Sequence, residues 1–160
     1  DEIHEFFTQL IRDAGLLVYG RITYQLMVPF WPDMAKNHSM SKTSNDFADA
    51  FDAIDKVVFS KSLQKVEDKK SRIVRTDLKE EILRLKQEPG KDMLLGGVDL
   101  PSQLIALGLV DEYIFVVHPV IAGGGRRLFE AISLPERPQL KLVDSKILSS
   151  GHVANRYVKR

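Results

Sequence analysis

Three short segments of the sequence combine residues that could hold a phosphate group. In Gly20-Arg21-Ile22-Thr23, a fixed positive charge and a hydroxyl donor follow a glycine that lets the backbone turn into the next predicted helix. Ser60-Lys61-Ser62 places two hydroxyls around a lysine, so an anion there would receive charge-assisted hydrogen bonds. Leu94-Leu95-Gly96-Gly97-Val98-Asp99 offers two glycines where a ligand can approach the backbone, and Asp99 can cap the following helix.

Each segment also has an ordinary structural interpretation. The first is typical of a strand-to-helix turn with a surface arginine, the second of a polar turn, and the third of a tight turn that needs a positive φ. Gly123-Gly124-Gly125-Arg126-Arg127 could cradle an anion, but the pattern favours a flexible loop with solvated arginines. Phe30-Trp31-Pro32 could wall a pocket for an aromatic ligand, and it could equally plug the end of a helix in the core.

Residue types exclude several other chemistries. The chain contains no cysteine, which excludes disulfides, thiol nucleophiles and zinc–thiolate sites. None of the four histidines is spaced from another His, Asp or Glu as metal ligands on a helix face are, so no metal site is predicted. His118 closes an apolar strand and is typical of a core residue. The sequence lacks the Gly-x-Ser-x-Gly elbow, the Walker loop and the Gly-x-Gly-x-x-Gly dinucleotide fingerprint.

Composition bounds the class of protein. The 160 residues, 44% of them hydrophobic, are enough for one domain with a sizeable core. A net charge of +1 gives no overall attraction to nucleic acid or to an anionic membrane, and neither is predicted as a partner. No apolar run approaches the length of a membrane span, and no signal peptide opens the chain. Together with the absence of cysteine, this favours a cytoplasmic location.

Hydrophobic periodicity predicts alternating helices and strands. Helices are predicted over residues 1–14, from Arg21 to near Pro29, over 46–54 and 78–87, and from Asp99 to Gly108, with an irregular polar loop over 33–45. Strands are predicted over 16–19, 56–59, 72–74, 92–95 and 113–121, the last being the most apolar and therefore central. A hairpin through Ser149-Ser150-Gly151 ends the chain. The expected fold is α/β, a mostly parallel sheet between helices with an antiparallel hairpin at one edge.

The order of these segments resembles the dihydrofolate reductase-like family. The resemblance is carried by Gly20-Arg21-x-Thr23-Tyr24, Phe30-Trp31-Pro32, Val57-Val58-Phe59-Ser60-Lys61, Gly96-Gly97, Gly108-Leu109-Val110-Asp111-Glu112, Pro119-Val120-Ile121-x-Gly123-x-Gly125 and Leu128-Phe129. Within that family it is most similar to the reductase domain of the bifunctional riboflavin-biosynthesis deaminase/reductase. The similarity runs from about residue 3 to residue 158 and implies one reductase domain over residues 1–160.

The resemblance implies NADPH as the cofactor. The Gly-Arg-x-Thr turn of the family holds cofactor phosphate, which points to Gly20, Arg21 and Thr23. The residues after the next strand approach the adenosine 2′-phosphate, which points to Ser60, Lys61 and Ser62. The Gly-Gly turn lies against the pyrophosphate and the nicotinamide, and the residues that match it are Gly96, Gly97, Val98, Asp99 and Leu100.

The resemblance also bears on the substrate, for which the expected contacts are Tyr24, Trp31 and Leu95. Riboflavin-pathway reductases have an acidic residue at the position of Leu95, and leucine accepts no hydrogen bond. The substrate is therefore open between a 5-amino-6-(5-phosphoribosylamino)uracil-type compound and a pterin-like heterocycle. The family's first strand and loop precede the first helix, so we expect them, and the general acid, to be missing from this chain.

The sequence thus predicts an NADPH-dependent reductase that transfers hydride to a small heterocyclic substrate. The alternative is a catalytically silent relative that keeps the fold and binds a nucleotide. The resemblance also implies a homodimer. No catalytic residue can be assigned from these patterns.

Overall fold

The computed structural model describes residues 2–130, 132–134 and 137–160. It contains two sheets, and helices cover both faces of the first one. The elements in chain order are α1 (Glu2–Asp13), β1 (Leu16–Gly20), α2 (Arg21–Met27), α3 (Phe30–Asn37), α4 (Lys42–Ala53), β2 (Lys56–Phe59), β3 (Ser71–Val74), α5 (Leu78–Gln87), β4 (Met93–Leu95), α6 (Asp99–Ala106), β5 (Glu112–Val117), β6 (Leu140–Ile147) and β7 (Val153–Lys159).

The first sheet is parallel and has the strand order β3-β2-β1-β4. Its central strands are short apolar runs that are buried on both faces, as expected for a parallel sheet covered by helices. Leu17 and Tyr19 face a cluster that contains Phe47 and Phe51 of α4. Val18 faces the opposite cluster, which contains residues of α5 and α6. The predicted α/β class, with helices on both faces of a mostly parallel sheet, is therefore confirmed.

The second sheet is antiparallel and has the order β5-β7-β6. It contains the predicted C-terminal hairpin, whose turn closes through the bond from Gly151 N–H to the Leu148 carbonyl, but the hairpin pairs with β5 in this separate sheet instead of joining an edge of the parallel one. The prediction that residues 113–121 form one long central strand is wrong. β5 ends at Val117, shortly before Pro119, which has no N–H for a ladder bond. β5 is also the edge strand of its own sheet, and Ile121 is fully exposed.

The predicted loop over residues 33–45 is also wrong, because most of it is helical. α3 continues to Asn37 and ends where His38 adopts a left-handed conformation, with φ of 48°. α4 begins at Lys42, since the Ser41 hydroxyl accepts a bond from Ser44 N–H and caps the helix. Polar composition concealed most of α3 and the first turn of α4, whereas the helix predicted over residues 46–54 coincides with the rest of α4.

No helix in the described part of the chain is both long and apolar enough to cross a membrane. This agrees with the composition.

Candidate functional site

The carboxyl ends of the four parallel strands lie side by side. Gly20 of β1 pairs in register with Phe59 of β2, and Phe59 pairs with Val74 of β3. On the other side of β1, Val18 pairs with Leu95 of β4. The three segments that could hold phosphate therefore all leave the sheet at one edge, spaced by the strand separation of about 5 Å.

The glycine turn after β4 packs directly against the turn after β1. A Cβ on Gly97 would lie 2.2 Å from Thr23 Oγ1, and one on Gly96 would lie 2.6 Å from the Tyr19 ring. Gly97 also has φ of +93°, which L side chains rarely adopt. Both positions therefore require glycine, and the two turns form one continuous surface.

Arg21 opens α2 at this edge and is exposed. Its guanidinium donates to the Gln25 side chain one helical turn later, at 2.9 Å. Gly20 precedes the helix in an extended conformation, and no side chain caps it. Gly20 also packs near Leu100, since a Cβ at Gly20 would lie 3.8 Å from the Leu100 Cβ. The Leu100 side chain is buried beneath the edge, so it supports the turn and cannot offer its side chain to a ligand there.

The loop after β2 is held by its own first residue. The Ser60 hydroxyl accepts bonds from the N–H groups of Ser62 and Leu63, at 3.2 and 2.9 Å. The Ser60 N–H donates to the Val74 carbonyl at 3.1 Å, which ties the loop to the end of β3. Lys61 and Ser62 are both exposed on this loop.

A further arginine lies beside this loop and was not identified from the sequence. Arg75 follows β3, and its guanidinium donates to the carbonyls of Ser60, Lys61 and Leu63. The only sequence signal was a basic residue after a predicted strand, which does not distinguish a structural arginine from a solvated one. Arg21, Lys61 and Arg75 form no salt bridge with any described residue, so the charge at this edge is not neutralised by carboxylates.

Next to β4, this edge of the sheet also carries a carboxylate. Asp99, at the start of α6, forms an ion pair with Arg126. Ser102 of the same helix is buried, and its hydroxyl lies within hydrogen-bond distance of the carbonyls of Val98 and Leu128. The segment around residues 126–128 therefore lies along α6 beside the glycine turn. In the expected flexible loop of Gly123 to Arg127, Arg126 thus forms an ion pair with Asp99 while its side chain stays half exposed.

The three expected substrate contacts differ in accessibility. Tyr24 is only 1% exposed, so its ring offers no free face to a substrate. Trp31 is half-buried and packs edge-on against Phe30 and Phe47, which matches the helix-end plug rather than an open aromatic wall. Leu95 is half-buried at the end of β4, directly before the glycine turn.

The Tyr24 hydroxyl belongs to a buried polar network. It donates to the Asp68 carboxylate and accepts from Glu67 N–H, both at 2.9 Å. Asp68 lies 3.3 Å from the ammonium of Lys56, and both side chains are almost wholly buried. Burial lowers the pKa of Lys56, and the Asp68 carboxylate opposes that shift. The network ties α2 and the segment after residue 66 to the first residue of β2.

A cavity of about 460 Å³ lies at the other end of the parallel strands. Its lining includes the first residues of the four strands, Leu16, Lys56, Ser71 and Met93. It is therefore separated from the glycine turns by the length of the sheet. No group of three or more described His, Asp or Glu side chains could hold a metal ion.

Comparison with known proteins agrees with this fold. The chain matches the family model of the RibD C-terminal domain over residues 1–154. An uncharacterized protein of Bacillus subtilis (strain 168), YyaP, is 32% identical over 148 residues, which cover 92% of this chain and 75% of that protein.

Solved structures share the fold at low sequence identity. A putative riboflavin biosynthesis protein from Shewanella sp. PV-4 has a TM-score of 0.74 at 18% identity, over 96% of this chain and 78% of the other. A diaminohydroxyphosphoribosylaminopyrimidine deaminase/5-amino-6-(5-phosphoribosylamino)uracil reductase from Thermotoga maritima has a TM-score of 0.64 at 14% identity, over 100% of this chain and 49% of the other.

The fold is thus that of an α/β domain of the reductase type. The chain belongs to the RibD C-terminal domain family, which is a family of reductase domains.

Proposed function

We propose that this protein is an NADPH-dependent reductase that passes hydride to a C=N or C=O bond of a small heterocyclic substrate. The observation that carries the proposal is the carboxyl edge of the parallel sheet. There, Arg21, Lys61 and Arg75 follow three adjacent strands and form no ion pair with a described residue, and the fourth strand ends in a glycine turn that packs against Thr23. Phosphate groups are recognised by such cations together with backbone approach.

The residues present fit the three phosphates of NADPH. Ser60, Lys61 and Ser62 would hold the 2′-phosphate, since they offer hydroxyls and a free ammonium on one exposed loop. Arg21 and Thr23 would hold phosphate at the next strand end. Gly96, Gly97, Val98 and Asp99 would border the pyrophosphate and nicotinamide end. The cofactor, when bound, supplies the hydride, and the protein binds and orients the two reactants.

Leu95 limits the class of substrate. The Thermotoga maritima relative is named a reductase of 5-amino-6-(5-phosphoribosylamino)uracil. An acidic residue at this position could accept hydrogen bonds from that type of substrate, but leucine cannot. We therefore propose that the substrate ring packs against Leu95 without a polar contact there, which suits a pterin-like heterocycle as well as a pyrimidine.

Leu95 also favours one alternative function, that of a relative that binds the nucleotide without turnover. Binding and hydride transfer are separable experiments, so the two functions are distinguished directly. NADPH binding with substrate-dependent oxidation at 340 nm supports the reductase. NADPH binding without oxidation across a panel of pyrimidine and pterin substrates supports the silent relative.

Arg21→Ala is expected to weaken NADPH binding by about 10- to 150-fold. The reason is the loss of a charge-assisted hydrogen bond, worth about 1.5–3 kcal/mol. The measurement is calorimetric titration of NADPH, with NADH beside it, into the wild type and the variant. Wild-type protein is expected to prefer NADPH clearly.

The matched control is Arg12→Ala, at the end of α1. Its carbonyl accepts a bond from Lys91, which lines the cavity at the opposite edge of the sheet. This variant should bind NADPH as the wild type does. Equal affinity in the Arg21 and Arg12 variants would refute the role of Arg21. Absence of binding in the wild type would refute the cofactor assignment as a whole.

We also propose that the protein forms a homodimer through one face of the antiparallel sheet. The register places Phe115, Val117, Leu142 and Ile147 on that face, with exposures from 39% to 78%. Exposed apolar side chains gathered on one face mark an interaction surface. Two-fold symmetric homodimers are the commonest soluble oligomers, so a second copy of this chain is the expected partner.

Ile147→Asp is expected to convert the dimer into a monomer, because a buried unpaired charge is costly at an interface. Sedimentation velocity at micromolar concentration measures this. The control is Leu83→Asp on α5, where an exposed leucine lies outside the antiparallel sheet. A monomeric wild type, or a dimer that survives the Ile147 substitution, would contradict the proposal.

A further inference from the structure

Arg75 holds the loop of residues 60–63 through three backbone carbonyls. One guanidinium nitrogen donates to the carbonyls of Ser60 and Lys61, both at 3.1 Å, and another donates to the carbonyl of Leu63 at 2.5 Å. The arginine is exposed and forms no ion pair with a described residue. Its planar fork of donors is the feature that allows one side chain to satisfy three acceptors.

A second set of hydrogen bonds also holds the loop. The Ser60 hydroxyl accepts from the N–H groups of Ser62 and Leu63, and the Ser60 N–H donates to the Val74 carbonyl. Carbonyls and amides of this short segment are therefore committed to different partners. Such a loop has little freedom to rearrange when a ligand arrives, which is the condition for a preorganised binding site.

The electrostatics of the loop depend on this arginine. Three carbonyl oxygens gathered at one place present negative partial charge, which disfavours a phosphate nearby. The guanidinium neutralises that charge and leaves a net positive loop that also carries Lys61. Removing Arg75 would release the carbonyls and leave Lys61 as the one cation of the loop.

We propose that Arg75 is the positioning residue that makes this loop select a 2′-phosphorylated adenosine nucleotide over its unphosphorylated counterpart. The inference rests on the proposed function and deepens it by assigning the source of cofactor selectivity. Arg75 acts through the loop, by fixing Ser60 to Leu63 and by setting the local charge, and the phosphate itself is bound by the loop residues.

The test compares Arg75→Met and Arg75→Lys with the wild type. Arg75→Met removes both the fork and the charge, so NADPH binding should weaken at least tenfold while NADH binding changes less than twofold. Arg75→Lys keeps the charge but cannot reach three carbonyls, so its NADPH affinity should lie between the two. A general structural role would weaken both nucleotides together, so the ratio of the two affinities is the decisive readout.

Hydrogen exchange gives a second readout that needs no nucleotide. The amides of Ser62 and Leu63 should exchange faster in both Arg75 variants, because the loop loses its anchor. Arg72→Met, on the same strand but paired with Glu81, is the control and should change neither exchange in the loop nor the affinity ratio. Far-ultraviolet circular dichroism confirms that each variant is folded.

The outcomes separate this inference from the proposed function. If the wild type prefers NADPH and Arg75→Met retains that preference, the role of Arg75 is overturned and the cofactor assignment stands. Unchanged loop exchange in both variants would also overturn it. If the wild type binds neither nucleotide, both the cofactor assignment and this inference fall together.

Discussion

Gly97→Ala is expected to lower the free energy of unfolding by about 2–5 kcal/mol. A Cβ at this position would lie 2.2 Å from Thr23 Oγ1 and 3.3 Å from Thr23 Cβ, so the two turns would have to move apart. The backbone adds to the effect, because φ of +93° is strained for alanine. Urea unfolding measures the change as a lower midpoint at an unchanged m-value. NADPH binding, if the proposed function holds, should be lost with the geometry of the turn.

Other glycines of the chain separate the two contributions. Gly108 has φ of +72° and nothing within 4 Å of its Cβ position, so Gly108→Ala measures the backbone effect alone. Gly124→Ala has neither a positive φ nor a close neighbour and should be nearly neutral. In a Thr23→Ala background, Gly97→Ala should be less destabilising, since the nearest atom is gone. If Gly97→Ala is as stable as Gly108→Ala, the Thr23 side chain moves away from the added Cβ at little cost in free energy.

The sequence predicted this site in part, through local signals. Glycines and a Gly-Arg-x-Thr pattern at the ends of apolar runs indicated turns at one edge of a parallel sheet, and the register confirms that edge. The contact between Gly97 and Thr23 could not be predicted, because it joins residues that are distant in the chain. Only the pairing of β1 with β4 brings them together.

Errors in the sequence interpretation have a common physical origin. An apolar run was assigned to the centre of the sheet, but residues 113–121 owe their composition in part to an exposed apolar face. A polar run was assigned to a loop, but it contains the end of α3 and the start of α4, and the Ser41 side chain caps α4. The apolar content of a segment predicts its burial only if other parts of the same chain cover its apolar side chains.

Charged residues were the least predictable class. By composition, the segment Glu67-Asp68-Lys69-Lys70 is typical of a solvated surface loop. Instead, the side chains of Lys56 and Asp68 are 0% and 4% exposed, respectively, and form an ion pair. Nothing in the local sequence separates Asp68 from its solvated neighbours, because its partners Lys56 and Tyr24 come from other elements.

Asp68→Ala is expected to destabilise the protein by about 3–5 kcal/mol, the second large effect. The substitution leaves the buried Lys56 ammonium with the Ile54 carbonyl and the face of the Phe51 ring as its remaining partners. It also removes the acceptor of the Tyr24 hydroxyl. Thermal and urea unfolding measure the loss. Asp46→Ala, which breaks the exposed pair with Lys42, is the control and should change stability by less than about 1 kcal/mol.

A double-mutant cycle with Lys56→Met tests whether the pair is the cause. The single substitutions Lys56→Met and Asp68→Asn each strand a buried charge, whereas the double variant Lys56→Met/Asp68→Asn strands none, so it should be more stable than the sum of these two single effects predicts. Additive effects would show that the two side chains act independently.

Tyr24→Phe leaves both charges in place. It should lower the free energy of unfolding by about 1–3 kcal/mol, which is less than the effect of Asp68→Ala.

The stability of the Asp68→Asn variant should depend on pH in a direction that a packing defect alone would not produce. Burial already lowers the pKa of Lys56, and loss of the opposing carboxylate should lower that pKa further. A lysine with a depressed pKa in the folded state reduces stability while it is charged, and this penalty fades as the pH rises through the folded-state pKa. The Asp68→Asn variant should therefore regain stability relative to the wild type as the pH is raised toward the ordinary lysine value of about 10.4. A constant difference between the two proteins over that range would mean that Lys56 stays charged without Asp68, and that the fold tolerates the buried ammonium by other means.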